Sequence, residues 1–278
     1  MTRACAWSGV IAVAAWCAGA GNLAAQGTLP KDATWTLEGS RGGYCIWYLA
    51  DPELARQMVT SATSLVPAGT GGDLPVLIAS TIREEPKYAQ WIPGAICFGF
   101  YQRVTSGGRT IAEAKGNRPL IAIATNSIAA QGARGVPGAN QYLIDFMTSD
   151  RGVANAADAI GVDMSMLEIT VRSKLEGDDP NVTLSFSGIH IDWAGHSLAD
   201  SSVGKTRSVS FGYGGPKSAN WQITSEAAPQ SSRLMVAALL VEGKNSLAKV
   251  LKASPARAIG PEERGGPATI TFHAVTKH

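Results

Sequence analysis

The sequence predicts an α+β fold, mainly antiparallel β in a sandwich or incomplete barrel, with about three short helices. Three observations lead there. Glycine is 31 of 278 residues while only 17% are charged, a balance that favours strands joined by tight turns over long charged helices. Apolar residues alternate at period two in many short segments, which is strand spacing. No fixed-period repeat, heptad series or low-complexity tract interrupts the chain, which excludes solenoids, propellers and coiled coils.

Along the chain, Thr34 to Leu37 starts the first strand and Cys45 to Leu49 continues after Gly42-Gly43. Asp51-Pro52-Glu53 opens a helix, with an Asp cap, a proline in the first helical position and an acid in the first turn. Leu74 to Glu84 favours helix over strand and is broken at Glu85-Pro86. Ile96, Phe98 and Phe100 alternate, and Ser106-Gly107-Gly108 turns the chain into Thr110 to Ala114, a hairpin signal. Leu120 to Thr125 reads as a buried strand, Gln131 to Gly138 as loop, and Asn140 to Ala159 as helix with Tyr142, Leu143, Phe146 and Met147 on one stripe, ended by Gly161.

A second β half follows. Leu167, Ile169 and Val171 point one way, Gly177 to Asn181 turns, and Val182, Leu184 and Phe186 return. The apolar phase slips at Gly188, where a bulge or turn is expected before Ile189, Ile191 and Trp193. Val209 to Tyr213 pairs with Trp221 to Ile223 across Gly214-Gly215-Pro216, Leu234 to Val241 is a central strand, Asn245 caps a helix carrying Leu247, Val250 and Leu251 inward, and Ile270 to Ala274 closes the fold.

Residues 1–25 read as a signal peptide: Arg3, an apolar run from Val10 to Ala18, and a small-residue exit ending at Ala25. The expectation is one exported β-rich domain over 26–278, secreted or periplasmic, with two possible halves meeting near 132–138. Removing residues 1–25 takes one cation, Arg3, from the 24 and none of the 22 acids. A near-neutral chain argues against nucleic acid as a partner, and no later apolar run is long enough to span a bilayer. Cys5 and Cys17 leave with the signal, so Cys45 and Cys97 remain, both in strand-like segments, and are expected to form a disulfide in an oxidising compartment.

Several motifs fail when their context is weighed. Ala199 to Thr206 has relaxed phosphate-loop spacing, but alternation from Ser208 to Tyr213 predicts a strand where the phosphates need a helix N-terminus. Ser202–Lys205 and Ser246–Lys249 have the serine-x-x-lysine spacing of acyl-transfer enzymes without the accompanying elements. The remaining cluster is His190, Asp192, His196 and Asp200. Alternation puts His190 and Asp192 on one strand face, a set that suits acid–base or metal chemistry, although no standard metal spacing is present. His273 joins it only if the last strand neighbours the 190 strand.

These readings lead away from catalysis. They predict a non-enzymatic, exported envelope protein that binds a small apolar or amphipathic ligand or a partner protein, with no cofactor. The alternatives are a secreted metal-assisted hydrolase using His190, Asp192 and His196, and a structural or assembly protein.

Overall fold

The computed structural model describes residues 32–61, 63–70, 74–116, 119–131, 141–171, 181–203, 206–213, 220–227, 230–259, 262–265 and 268–275. In chain order these form β1 (Asp32–Glu38), β2 (Gly43–Ala50), α1 (Pro52–Arg56), β3 (Ser64–Leu65), α2 (Val76–Glu84), β4 (Ile92–Tyr101), β5 (Arg103–Ser106), β6 (Arg109–Glu113), β7 (Ile121–Gln131), β8 (Gln141–Thr148), α3 (Arg151–Asp158), β9 (Ser165–Met166) and β10 (Glu168–Val171). There follow β11 (Asn181–Phe186), β12 (Ile189–Val203), β13 (Thr206–Tyr213), β14 (Asn220–Ala227), β15 (Gln230–Glu242), α4 (Ser246–Ala253), β16 (Arg257–Ile259), β17 (Glu262–Gly265) and β18 (Ala268–Val275).

The α+β class expected from the sequence holds. One large sheet runs β16-β2-β4-β7-β8-β13-β14-β18-β1-β5-β6, with β3 beside β7 and β9 beside β8, and a smaller sheet runs β10-β11-β12-β15-β17. Pairing is antiparallel except where β8 meets β13 and β9. Strands from both ends of the chain share the large sheet, because β18 lies between β14 and β1.

Every residue of β4, and every residue of β2 after Gly43, is buried. Strands covered on both faces lose the polar-out alternation and become continuous apolar runs, which is the pattern of Tyr44 to Ala50 and of Ile92 to Tyr101. Tyr44, Tyr48 and Phe98 on these strands, with Trp35 on β1, are the largest side chains fully removed from water among the described residues. Cover comes from the helices: α4 packs on β2, α2 on β16, and α3 on β6 and β8. Helix α4 turns Leu247, Val250 and Leu251 inward, as the sequence predicts, and the Asn245 side chain caps it by accepting from the Ala248 N–H at 2.9 Å. The Asn245 amide also donates to the Ser187 carbonyl at 2.8 Å, fastening the helix start to the β11–β12 turn. Asp51 caps α1 in the same manner, accepting from the Glu53 N–H at 2.9 Å.

Two local expectations change, and a third resolves between its alternatives. The segment expected as one helix over 140–159 is strand β8, then a break, then α3. Its apolar stripe was equally compatible with a largely covered strand, and partners on β7 and β13 decided the matter. The hairpin expected from Ile96 to Ala114 is instead β5 with β6, because the chain leaves β4 at Gln102 and exchanges its neighbours β2 and β7 for β1. At Gly188 the phase slip is a two-residue turn: Phe186 pairs with Ile189, and Ser187 and Gly188 both have positive φ, 48° and 74°, the conformation that tight hairpins require.

Cys45 and Cys97 face each other in register across β2 and β4 and form the expected disulfide. The sequence separation is 52 residues, so the crosslink restricts the unfolded chain by about 4 kcal/mol in the loop-entropy account. Replacing both cysteines with alanine should lower the unfolding free energy in denaturant by roughly that amount; a change within error would show that the sheet holds these strands equally well without the bond.

Candidate active site

Three polar side chains lie inside this apolar wall. The Tyr48 hydroxyl donates to Asn126 Oδ1 at 2.9 Å, and Asn126 Nδ2 donates to Asp145 Oδ2 at 2.8 Å. The chain crosses four adjacent strands, β2, β4, β7 and β8. Asn126 and Asp145 are direct register partners, whereas Tyr48 stands opposite Gly94, which in turn faces Ile128. The tyrosine ring therefore passes over β4 to reach Asn126, and Gly94 makes the crossing possible. A Cβ at Gly94 would lie 2.3 Å from Tyr48 Cζ and 2.6 Å from its hydroxyl oxygen.

Asp145 is aimed by an irregularity in the ladder. Asn126 pairs with Asp145 but Ser127 pairs with Leu143, so Ile144 is an extra residue, and the register shifts beside the carboxylate. A bulge of this kind bends the strand and re-aims a side chain.

The electrostatics divide the labour. Tyr48 is fully buried, and desolvation with the nearby Asp145 charge pushes its phenol above its ordinary value; it stays protonated and here donates to Asn126. Asn126, also fully buried, cannot titrate. Asp145 is only partly exposed. Desolvation raises its pKa, the hydrogen bond from Asn126 works in the opposite direction, and the negative charge of Asp163 adds to the rise. It is thus the one member of the chain that both titrates and reaches the surface. A carboxyl whose pKa is raised by burial, held by one fixed donor that is itself held by Tyr48, is suited to giving or taking a single proton.

None of these three residues was singled out from the sequence. The available signal was a carboxylate inside the apolar run Tyr142 to Met147 and an amide inside Ile121 to Ala130, since buried polar residues demand partners. Sequence alone could not show that positions so far apart converge.

The residues that the sequence did single out are distributed differently. His190 and Asp192 meet as expected, with His190 Nε2 3.3 Å from Asp192 Oδ2. Ser185 Oγ lies 2.9 Å from His190 Nδ1, and the Thr183 hydroxyl donates to the other Asp192 oxygen. His196 and Asp200 are on the same strand, β12, but their side chains lie outside the described residues. A register shift between Ser197 and Ala199 also puts Asp200 out of phase with His190 and Asp192. His273 lies on β18 in the large sheet, so the neighbouring strands that would bring it to the 190 segment are not present. Among the described residues, no three His, Cys, Asp or Glu side chains are placed to hold a metal ion. The phosphate-loop spacing falls between strands β12 and β13, with no helix to receive phosphates. The proposed leader, residues 1–25, lies outside the described residues, as do the 132–138 loop and the 177–180 turn.

No protein-family model matches the chain, and no curated protein matches it. Solved structures do. An acetoacetate decarboxylase-like enzyme from Sphingomonas wittichii RW1 superposes with a TM-score of 0.53 at 11% identity, over 94% of this chain and 100% of that one. The enduracididine biosynthesis enzyme MppR, complexed with pyruvate, gives 0.51 at 11% identity over 91% of each chain. Acetoacetate decarboxylase from Legionella pneumophila gives 0.50 at 9% identity, over 92% of this chain and 93% of that one. What is shared at these identities is the fold.

All three neighbours are enzymes, and that overturns the expectation of a non-enzymatic binding module. The metal-assisted hydrolase using His190, Asp192 and His196 and the purely structural role find no support in them either. The sequence pointed away from catalysis because each linear motif lacked its context, while the polar chain described above is not a linear motif.

Gly94→Ala should destabilise the protein by about 1–3 kcal/mol, the usual cost of overfilling a packed interior. The pH dependence has a definite sign. A carboxyl with a raised folded-state pKa keeps its full stabilising effect below the unfolded value and loses it as pH rises through the folded value. Stability of the wild type should therefore fall across that window relative to Asp145→Asn; parallel denaturant midpoints from acid to neutral pH would show that Asp145 titrates normally.

Proposed function

We propose that this protein is an enzyme acting on a small oxo acid, with Asp145 as its proton donor and Tyr48 and Asn126 as the groups that hold it. The observation that carries the reading is the bulge-aimed, partly buried Asp145 with its raised pKa, in a fold shared with an acetoacetate decarboxylase and with an enzyme complexed with pyruvate.

The chemistry matches the group. When a 3-oxo acid loses carbon dioxide, the electron pair of the broken bond stays on the α-carbon as an enolate, and that carbon must then take up a proton. Asp145 in its protonated form supplies the proton, becomes carboxylate, and is reprotonated by water. Efficiency in such a step is greatest when the acid's pKa lies near the working pH, which is the direction in which burial moves Asp145. Tyr48 and Asn126 do not change protonation state. Tyr48 holds Asn126, Asn126 holds the carboxyl at Oδ2, and Oδ1 is left for the reacting carbon. A covalent imine route needs an amine kept neutral by desolvation or by a second cation. The described lysines Lys87, Lys115, Lys244, Lys249 and Lys252 are all exposed, so the reading gives none of them a covalent role.

Export belongs to the same proposal. The Cys45–Cys97 disulfide supports a life in an oxidising compartment, in line with the leader expected over residues 1–25.

The test is a panel of 2- and 3-oxo acids assayed for carbon dioxide release and for proton exchange at the α-carbon. Asp145→Asn should keep KM close to wild type and lower kcat by on the order of 10²–10⁴-fold, the range of general acid catalysis. No turnover of any oxo acid by the wild-type protein would sink the reading.

A further inference from the structure

We infer that the edge of the large sheet formed by β16, with α4 and α2 beside it, is a docking surface for an anionic lipid bilayer. The charge distribution is the first observation. Between Gly243 and Pro261 the chain carries Lys244, Lys249, Lys252 and Arg257 and no Asp or Glu, the stretch being bounded by Glu242 on one side and Glu262-Glu263 on the other. With +4 in this stretch and a formal +2 overall, the rest of the chain nets −2. All four cations are exposed, and among the described residues none is in a salt bridge. Lys252 donates to the Gly243 carbonyl at 2.9 Å, which holds one ammonium over the start of α4 without neutralising it. Lys249 and Lys252 stand three apart on the outer face of α4, whose Leu247, Ala248, Val250 and Leu251 are buried; residues at that spacing are neighbours on a helix surface.

The second observation is apolar. Val76 and Leu77 are 81% and 52% exposed, and they begin α2, the helix that packs on β16. Leu240 and Met166 are also exposed, on β15 and β9, but Val76 and Leu77 are consecutive on a helix that packs on the strand carrying Arg257, and an apolar pair beside cations has the composition of a surface that meets a membrane interface. A soluble polyanion would use the cations and have no use for the valine and leucine. A bilayer uses both, because anionic head groups attract the cations while the apolar side chains enter the acyl boundary. No helix among the described residues is long and apolar enough to cross a membrane, so the attachment is peripheral.

Protein produced with its own N-terminal segment, and purified from the compartment where it accumulates, is sedimented with vesicles of phosphatidylcholine alone or with a one-third share of phosphatidylglycerol. The expected result is binding to the anionic vesicles only, reversed by salt. Each cation near an anionic surface is worth about a fivefold change in partition, so Lys249→Gln/Lys252→Gln should bind roughly 25-fold more weakly. Val76→Ser/Leu77→Ser should also bind more weakly, with unchanged circular dichroism and unfolding midpoint. Absence of binding to anionic vesicles overturns the inference, as does equal binding to neutral ones. Binding that depends on the lysines but is indifferent to Val76 and Leu77 overturns it as well, and assigns the strip to a soluble anionic polymer.

Discussion

A strand buried on both faces has no water to offer a polar side chain, and that constraint organises the centre of this protein. β2, β4 and most of β7 are enclosed in this way. Tyr48 and Asn126 therefore have to find partners within the sheet, because an unpaired buried group costs about 1–3 kcal/mol. They find each other across β4, and Asn126 passes the requirement on to Asp145. The outermost member is the one that can titrate, so a demand of packing ends in a chemically useful group. Gly94 is part of the same solution, since any side chain there would occupy the path of the ring.

The bulge in β8 links this interior to the surface. A regular ladder would carry the alternation of β8 unchanged, and the extra residue at Ile144 resets it beside Asp145. Burial is then sufficient to raise the carboxyl's pKa but insufficient to isolate it. Asp163, just beyond α3, adds a charge from outside the sheet. Desolvation and a second carboxylate thus act in the same direction on one proton, against the hydrogen bond from Asn126.

Around this centre the fold is held at a few defined points. The disulfide ties β2 to β4 next to the polar chain, and Ser254 binds the far end of β2 by accepting from the Leu49 N–H at 2.9 Å. Asn245 joins α4 to the small sheet. With its core-facing residues fixed in this way, α4 leaves its lysines outward, and β16 carries the basic strip to the sheet edge beside α2. The proposed proton chemistry on β8 and the proposed surface attachment at β16 would thus lie on different strands of the same sheet, with β2, β4 and β7 between them.

The sequence by itself determined the fold class, the disulfide, the caps at Asp51 and Asn245 and the turn at Gly188. Each depends on residues close together in the chain or on composition, where hydrophobic period and turn chemistry act directly. It also brought His190 and Asp192 together, because two residues on one strand share a face whatever the strand's neighbours are. The nature of 141–148 was not legible, since a run of mostly apolar residues without clean alternation fits helix and strand alike until partners are assigned. Nor was the Tyr48–Asn126–Asp145 chain. Its members come from β2, β7 and β8, and only strand order, register and one bulge bring them within hydrogen-bond reach. Those are properties of the assembled sheet, fixed by which strands bury one another, and no single segment carries them.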